Sequence, residues 1–258
     1  MKKRRDSLAV MRAQEVDMKE ESSASLPVNE PVNEPVTLLG KGFGELLGTA
    51  ALVMVIVGSG TMAQNLTSDS ALQLLINSLS TALALFILII VFEPISGSHF
   101  NPVVTIVNLI KKEIRKVESL LYLAAQFLGA TLGVASANIM FDRTILEFST
   151  KDRLGSHLLL SEVIATAGLI FVIFASWVKI SVALRATLVA SWIGSAYFFT
   201  SSTSVANPAV TFGRMWSDTF SGISPDSVTP FILAQLLGGI FGAGLIYFFT
   251  KVGNRDER

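Results

Sequence analysis

Charge disappears from six long stretches of this chain. No Asp, Glu, Lys or Arg occurs in 46–68, 70–92, 119–141, 163–178, 186–213 or 227–250. Crossing about 30 Å of hydrocarbon takes roughly 20 apolar residues, so each stretch predicts a transmembrane helix. The fourth is long enough only if Glu162 and the residues before it are included. The start of the chain is different in kind. Lys2, Lys3, Arg4 and Arg5 open a polar tract that carries the short repeat VNEPVNEP at 28–35. That composition cannot bury a core and predicts a disordered tail over 1–40. The sequence after the basic residues is too polar to be the apolar region of a signal peptide.

Composition sharpens this picture. Of 258 residues, 51% are hydrophobic and 16% charged, with a mean hydropathy of +0.57. A soluble domain carries about a quarter charged residues, so the chain is expected to be an integral membrane protein. It has no cysteine, which excludes disulfides and thiol chemistry, and zero net charge, which gives no indication of a nucleic-acid partner. Lys and Arg set the expected orientation. They mark the N-terminal tail, the link at 111–116, Lys179 and Arg185 between spans four and five, and Lys251, Arg255 and Arg258 at the end. The intervening links are balanced or acidic, so both termini are expected to be cytoplasmic in a cell-membrane protein.

The chain repeats itself. The order Glu45-x-x-x-Thr49, Asn101-Pro102, AAQFLGATLG at 124–133 returns as Glu162-x-x-x-Thr166, Asn207-Pro208, LAQLLGGIFG at 233–242. Three matches in one order indicate duplication. Three spans per half is an odd number, so the second copy lies inverted, and inverted repeats place their site near the bilayer midplane. The predicted organisation is a membrane domain over 41–250, with repeats of about 41–141 and 157–250 and a short C-terminal tail at 251–258.

The two Asn-Pro pairs acquire a reason in that plan. Proline suits the first position of a helix, where its missing N–H is not needed, and asparagine before it is a good N-cap. About ten residues follow each pair, or some 15 Å of helix, half a membrane. Two half-helices entering from opposite faces meet N-terminus to N-terminus, with their partly positive ends at the junction. Asn101 and Asn207 cap them and aim an amide at whatever passes. An ordinary loop helix is the bland alternative for either pair alone.

Ser-Gly-Ser-His-Phe-Asn-Pro at 96–102, Asn207-Pro208-Ala209, the two glutamates and the Gln-x-x-Gly pairs resemble the major intrinsic protein family of aquaporins and aquaglyceroporins over roughly 41–250. The resemblance implies an all-α, right-handed bundle of six transmembrane helices plus two half-helices. It also implies one pore per subunit, a homotetramer in membrane lipid, and passive, cofactor-free permeation of water and small neutral solutes. Glu45 and Glu162 would then hold the half-helix loops, leaving loop carbonyls for the pore. A charge at the bilayer centre costs at least about 2.5–3.5 kcal/mol and requires interior partners. His99 is expected to brace the first half-helix rather than bind metal. Phe100, Val103 and Val210 are expected to keep the pore wall apolar.

Two departures stand out. Val103 replaces the family's usual alanine, and Ala209 opposite is expected to accommodate it. Val210 replaces the family's filter arginine. Counting from the asparagines without gaps puts the other filter positions at Thr81, Ser195 and Ser204, a wide ring with no fixed charge. That predicts passage of glycerol, urea or neutral metalloid hydroxides such as arsenite; a bacterial branch with valine at this position is linked to uncharged arsenic species. Arg214 lies four residues on, about 6 Å further out on the same helix face, and offers a cation barrier at the outer mouth. A solvated arginine and an i+4 pair with Asp218 are the alternatives. The competing class is a secondary transporter whose broken helices bind substrate at the midplane. An enzyme is not expected, because no nucleophile–base set, catalytic residue or metal-ligand cluster is visible.

Overall fold

The computed structural model describes residues 35–175 and 180–253. Six long helices are α1 (Leu38–Leu66), α2 (Ser70–Ser96), α4 (Lys116–Met140), α5 (Ser156–Phe174), α6 (Val182–Phe199) and α8 (Pro225–Gly253). Two short ones are α3 (Pro102–Ile110) and α7 (Pro208–Arg214). All six long helices are apolar enough to cross a membrane. Among the described residues there is no strand. Capping chemistry sets many of the boundaries. Thr37 accepts from the Gly40 N–H at 3.1 Å, and Asp69 accepts from those of Ala71 and Leu72 at 2.8 and 3.0 Å. Gly97, at φ 81°, closes α2 in the left-handed conformation that suits glycine.

Some boundaries differ from those the sequence predicts. Helix α1 begins at Leu38, inside the stretch assigned to the N-terminal tail, because Thr37 supplies a cap that glycine-rich sequence obscured. Residues 1–34 of that tail lie outside the described residues. The uncharged stretch 186–213 holds two elements: α6 ends at Phe199, and α7 starts at Pro208. Lack of charge alone could not separate a full span from a half-span. At the C-terminal end, α8 carries on through Lys251 to Gly253.

The packing follows the repeat. Helix α1 lies against α4 as α5 lies against α8, each half has a further contact (α1 with α2, α5 with α6), and α2 meets α6 across the halves. The half-helices wedge between them, α3 against α4 and α8, α7 against α4, α1 and α8. Close approach is achieved by glycine. A Cβ on Gly129 or Gly133 of α4 would overlap the Leu46 or Ala50 carbonyl oxygen of α1. On α8, one at Gly238 or Gly242 would come within 2.5 or 2.6 Å of the Val163 or Ala167 oxygen of α5. Both Gly-x-x-x-Gly pairs thus let helix backbones touch, the small-residue device of membrane helices. Leu75, Leu79, Leu83 and Ile87 form an exposed apolar stripe along α2, suited to lipid.

Gly133→Val is expected to force α1 and α4 apart, at a cost above the roughly 1–3 kcal/mol of an overpacked core site. The expected result is a clear loss of monodisperse protein in detergent gel filtration and a lower melting temperature.

Candidate functional site

The loops ahead of α3 and α7 are built alike. Ser98 and Phe100 have φ of 46° and 48°; Thr203, Ser204 and Ala206 have 64°, 50° and 48°. Non-glycine residues in this region each cost about 1–3 kcal/mol and persist only where the surroundings enforce them. The enforcing groups are the two glutamates. Glu45 accepts from the Ser96 hydroxyl (2.7 Å), the backbone N–H groups of His99 (2.9 Å) and Phe100 (2.7 Å), and the Gln126 amide (2.7 Å). Glu162 accepts from the Ser202 hydroxyl (2.6 Å), the N–H groups of Val205 (2.9 Å) and Ala206 (2.8 Å), and the Gln235 amide (2.7 Å). The same amides reach on to Thr105 and Thr211 in the half-helices, at 2.9 and 2.8 Å. Both glutamates are wholly buried, and each carboxylate oxygen receives two donors.

The half-helices meet at their asparagines. Asn101 Oδ1 accepts from the Val103 N–H at 2.9 Å, while its Nδ2 donates to the Ala206 carbonyl at 2.8 Å. Asn207 Oδ1 accepts from Ala209 and Val210 at 3.0 and 3.3 Å, and its Nδ2 donates to the Phe100 carbonyl at 2.7 Å. Each cap therefore also ties the two repeats together. One amide N–H per asparagine is spent on that tie, and the other remains for a ligand. Pro102 and Pro208 occupy the first helical positions. His99 braces α3: with the Asn108 amide donating to Nε2 (3.2 Å), Nδ1–H donates to Thr105 Oγ1 (3.0 Å).

Val103 departs from expectation. The room for it comes from Gly239 of α8, where a Cβ would stand 2.5 Å from Val103 Cγ1. Buried among Val104, Val107, Ile170 and Phe174, it is not in the cavity wall, which Val104 lines instead. The half-helix start turns successive side chains to different neighbours, a phase the sequence did not reveal.

A cavity of about 1050 Å³ follows the junction. Asn101, Asn207, Phe100, Val210, Thr81, Ser195, Ser204 and Arg214 all line it, and it continues to Glu93, Lys111, Glu113 and Arg185 beyond the C-terminal end of α3. Thr81, Ser204 and Val210 are buried, whereas Ser195 is exposed. The wall also includes Tyr197, whose hydroxyl donates to Thr81 Oγ1 at 3.1 Å, joining α6 to α2. Counting from Asn207 singled out Ser195 and missed Tyr197. Its signal was the recurrence Val189, Ile193, Tyr197 at helical spacing, and a phenol in uncharged sequence that needed a partner.

Arg214 is 2% exposed, and its Nε–H donates to the Ser221 carbonyl. It is neither a solvated loop residue nor the partner of Asp218; among the described residues it makes no ion pair within 4 Å. Asp218 instead accepts from the Thr150 N–H and hydroxyl, at 2.9 and 3.0 Å. The loop after α7 collects cations on its carbonyls: Arg143 on Asp218 (2.7 Å), Lys151 on Phe220 (2.6 Å), Arg214 on Ser221 and Arg153 on Gly222 (3.0 Å). The crowding has an electrostatic cost. Partial burial, then Arg153 and Arg214, push the Lys151 ammonium down to about 8. Its charged form is thus disfavoured in the fold, and that penalty is relieved as pH rises through about 8 toward the ordinary lysine range.

Two regions of the chain, 33–206 and 200–257, match the family model described as the major intrinsic protein. The chain belongs to the major intrinsic protein family. A relative named aquaglyceroporin AqpS, from Rhizobium meliloti (strain 1021), is 41% identical over 207 residues, 80% of this chain and 88% of that protein. A probable aquaporin of TIP type from Medicago truncatula is 30% identical over 235 residues, 85% of this chain and 90% of its own length. The crystal structure of the aquaglyceroporin from Plasmodium falciparum superposes with a TM-score of 0.65 at 20% identity, covering 83% of this chain and 95% of that one. That likeness shows a shared fold. As a member of this family the chain is a multi-pass membrane channel and not an enzyme.

Glu45→Gln or Glu162→Gln turns an acceptor oxygen into a donor facing donors. Each change is expected to cost about 3–5 kcal/mol, the scale of breaking a buried ionic network. Thermal unfolding followed by gel filtration of the detergent-solubilised variants reads this directly.

Proposed function

We propose that this channel conducts water and small uncharged solutes, among them glycerol, urea and neutral metalloid hydroxides such as arsenite, passively and in single file past Asn101 and Asn207. One observation carries the reading: the two asparagine amides bond reciprocally across the repeats and line one cavity with Val210, Ser204 and Thr81. The amides, with loop carbonyls, replace part of a permeant's hydration. Phe100, Val104 and Val210 keep the remaining wall from binding it too strongly. Glu45 and Glu162 spend their oxygens on donors within the bundle, which leaves neither free to hold a coupling ion and favours a channel over a secondary transporter. The name of the Rhizobium relative, an aquaglyceroporin, is in keeping with solutes larger than water.

Val210 and Arg214 divide what one filter arginine does elsewhere in the family. Val210 leaves the constriction apolar and open to solutes, and Arg214, positively charged and set in the same wall, opposes cations. The protein acts as a homotetramer in the cell membrane, with a channel domain between two cytoplasmic tails.

Stopped-flow light scattering on proteoliposomes tests the proposal. Wild type is expected to pass water, glycerol and urea above protein-free vesicles, and Val210→Arg to cut glycerol and urea flux about tenfold, the scale of losing 1–2 kcal/mol in a tight pocket. Equal solute flux in both proteins removes residue 210 from the constriction. In the same vesicles, Arg214→Ala is expected to raise the Na⁺ and proton leak several-fold; an unchanged leak removes Arg214 as the barrier.

A further inference from the structure

The loop between α4 and α5 holds one lysine at both ends. Lys151 is half-buried. Its backbone N–H donates to Ser149 Oγ at 3.2 Å, and its carbonyl accepts from the Ser224 N–H at 2.8 Å. At the other end Nζ donates to the Phe220 carbonyl at 2.6 Å and lies 4.6 Å from the centre of the Phe220 ring. Arg153 repeats the arrangement two residues further along both loops, its Nε–H donating to the Gly222 carbonyl at 3.0 Å. That common step sets the Lys151 amine beside the Arg153 guanidinium, and the two charges interact.

The pair lacks negative charge. Among the described residues neither Lys151 nor Arg153 makes an ion pair within 4 Å. The acids of these loops face other partners. Asp152 accepts from the Leu154 N–H and the Ser227 hydroxyl, at 2.8 and 3.1 Å, and Asp218 accepts from Thr150. Arg153 spends Nε on Gly222 and Nη1 on Ser202, and keeps Nη2. Arg214, at the end of α7, adds a second guanidinium to the field at Lys151. Burial first, then these two arginines, holds the Lys151 ammonium down to about 8, against about 10.4 for an ordinary lysine. Much of Lys151 is then the free amine, a nucleophile, in surroundings that favour an anion.

We propose that Lys151 is a site of carbon dioxide addition, and that the carbamate formed there pairs with Arg153. The nitrogen lone pair forms the N–C bond, one C=O π pair moves onto oxygen, and a proton leaves the nitrogen for solvent. A neutral amine and carbon dioxide thus become a carbamate anion and H⁺, with nothing oxidised or reduced. The carbamate nitrogen keeps one hydrogen, enough to hold the Phe220 carbonyl. Its carboxylate gives the guanidinium the charged acceptor it lacks, the stronger kind of hydrogen bond. A small uncharged electrophile suits a half-buried amine. The modification exchanges a cation for an anion within the field of Arg214, which lines the cavity. The inference stands on the loop contacts and is independent of the permeant.

The test equilibrates the full-length protein with isotopically labelled carbon dioxide and bicarbonate, traps carbamates as their ethyl esters with triethyloxonium, and maps the label by peptide mass spectrometry. A reference peptide with a free α-amine, whose pKa of about 7.7–8.0 is similar, is trapped in the same tube. Label on Lys151 is expected to exceed that on any other lysine by about a hundredfold, the excess of free amine that a pKa lower by about two units implies. It is also expected to exceed the peptide's several-fold, because Arg153 holds the product. At constant dissolved carbon dioxide the label is expected to rise as pH climbs to about 8. Arg153→Gln is expected to bring it down to the peptide's level. A lysine that serves only to latch the two loops takes no more label than the other lysines; that result, with the peptide labelled, overturns the proposal. An unchanged label in folded Arg153→Gln overturns the pairing. Should that variant fail to fold, the ratio of Lys151 to peptide label in the unaltered protein decides, and a ratio of one or less overturns the proposal. Solute flux plays no part in this readout, so failure of the channel reading and failure of this inference are told apart.

Discussion

Two carboxylates in the middle of an apolar bundle hold the rest of this structure in place. Each glutamate gathers two backbone N–H groups, a serine hydroxyl and a glutamine amide, in the same order in both repeats. Hydrogen bonds to a charged acceptor contribute about 1.5–3 kcal/mol each, enough to offset the left-handed residues that turn those N–H groups inward. The charge would be costly without the donors, and the loop conformation would be costly without the charge. Together they fix where α3 and α7 begin, and so where the asparagines meet.

The symmetry of the repeat holds for hydrogen bonding and fails for volume. Phe100 in the first loop corresponds to Ala206 in the second. The large ring is accommodated because Gly48, where the second half has Ala165, leaves its space open. Val103 corresponds to Ala209, and Gly239 gives way to it. The junction thus keeps one polar scaffold while exchanging apolar bulk between helices, as packed interiors do when total volume is preserved. Such exchange lets the lining of the cavity differ between the halves without disturbing the caps.

On the side where α7 ends, positive charge is held by backbone oxygen. Four cations rest on carbonyls of one loop, and Arg153 also donates to the Ser202 carbonyl at 3.2 Å. A carbonyl orients a guanidinium without cancelling its charge, whereas a carboxylate partner would do both. Of the four, Arg214 lines the cavity. Arg214 sits in that arrangement buried and fixed at Nε.

Much of this protein was decided by local sequence. Uncharged runs of membrane length fixed the spans, Asn-Pro fixed two helix starts, and the ordered recurrence of Glu, Asn-Pro and Gln fixed an inverted duplication. These features depend on hydropathy and on backbone capping, which act over a few residues. Tertiary structure alone decided which side chains share a level of the cavity. Tyr197 enters the wall and Val103 leaves it because each depends on helix phase and on a neighbour far away in sequence, α2 for one and α8 for the other. Arg214 could be paired or free on sequence grounds. Its freedom was settled when Thr150 took the Asp218 carboxylate and Ser221 offered a carbonyl, contacts that no spacing along the chain encodes.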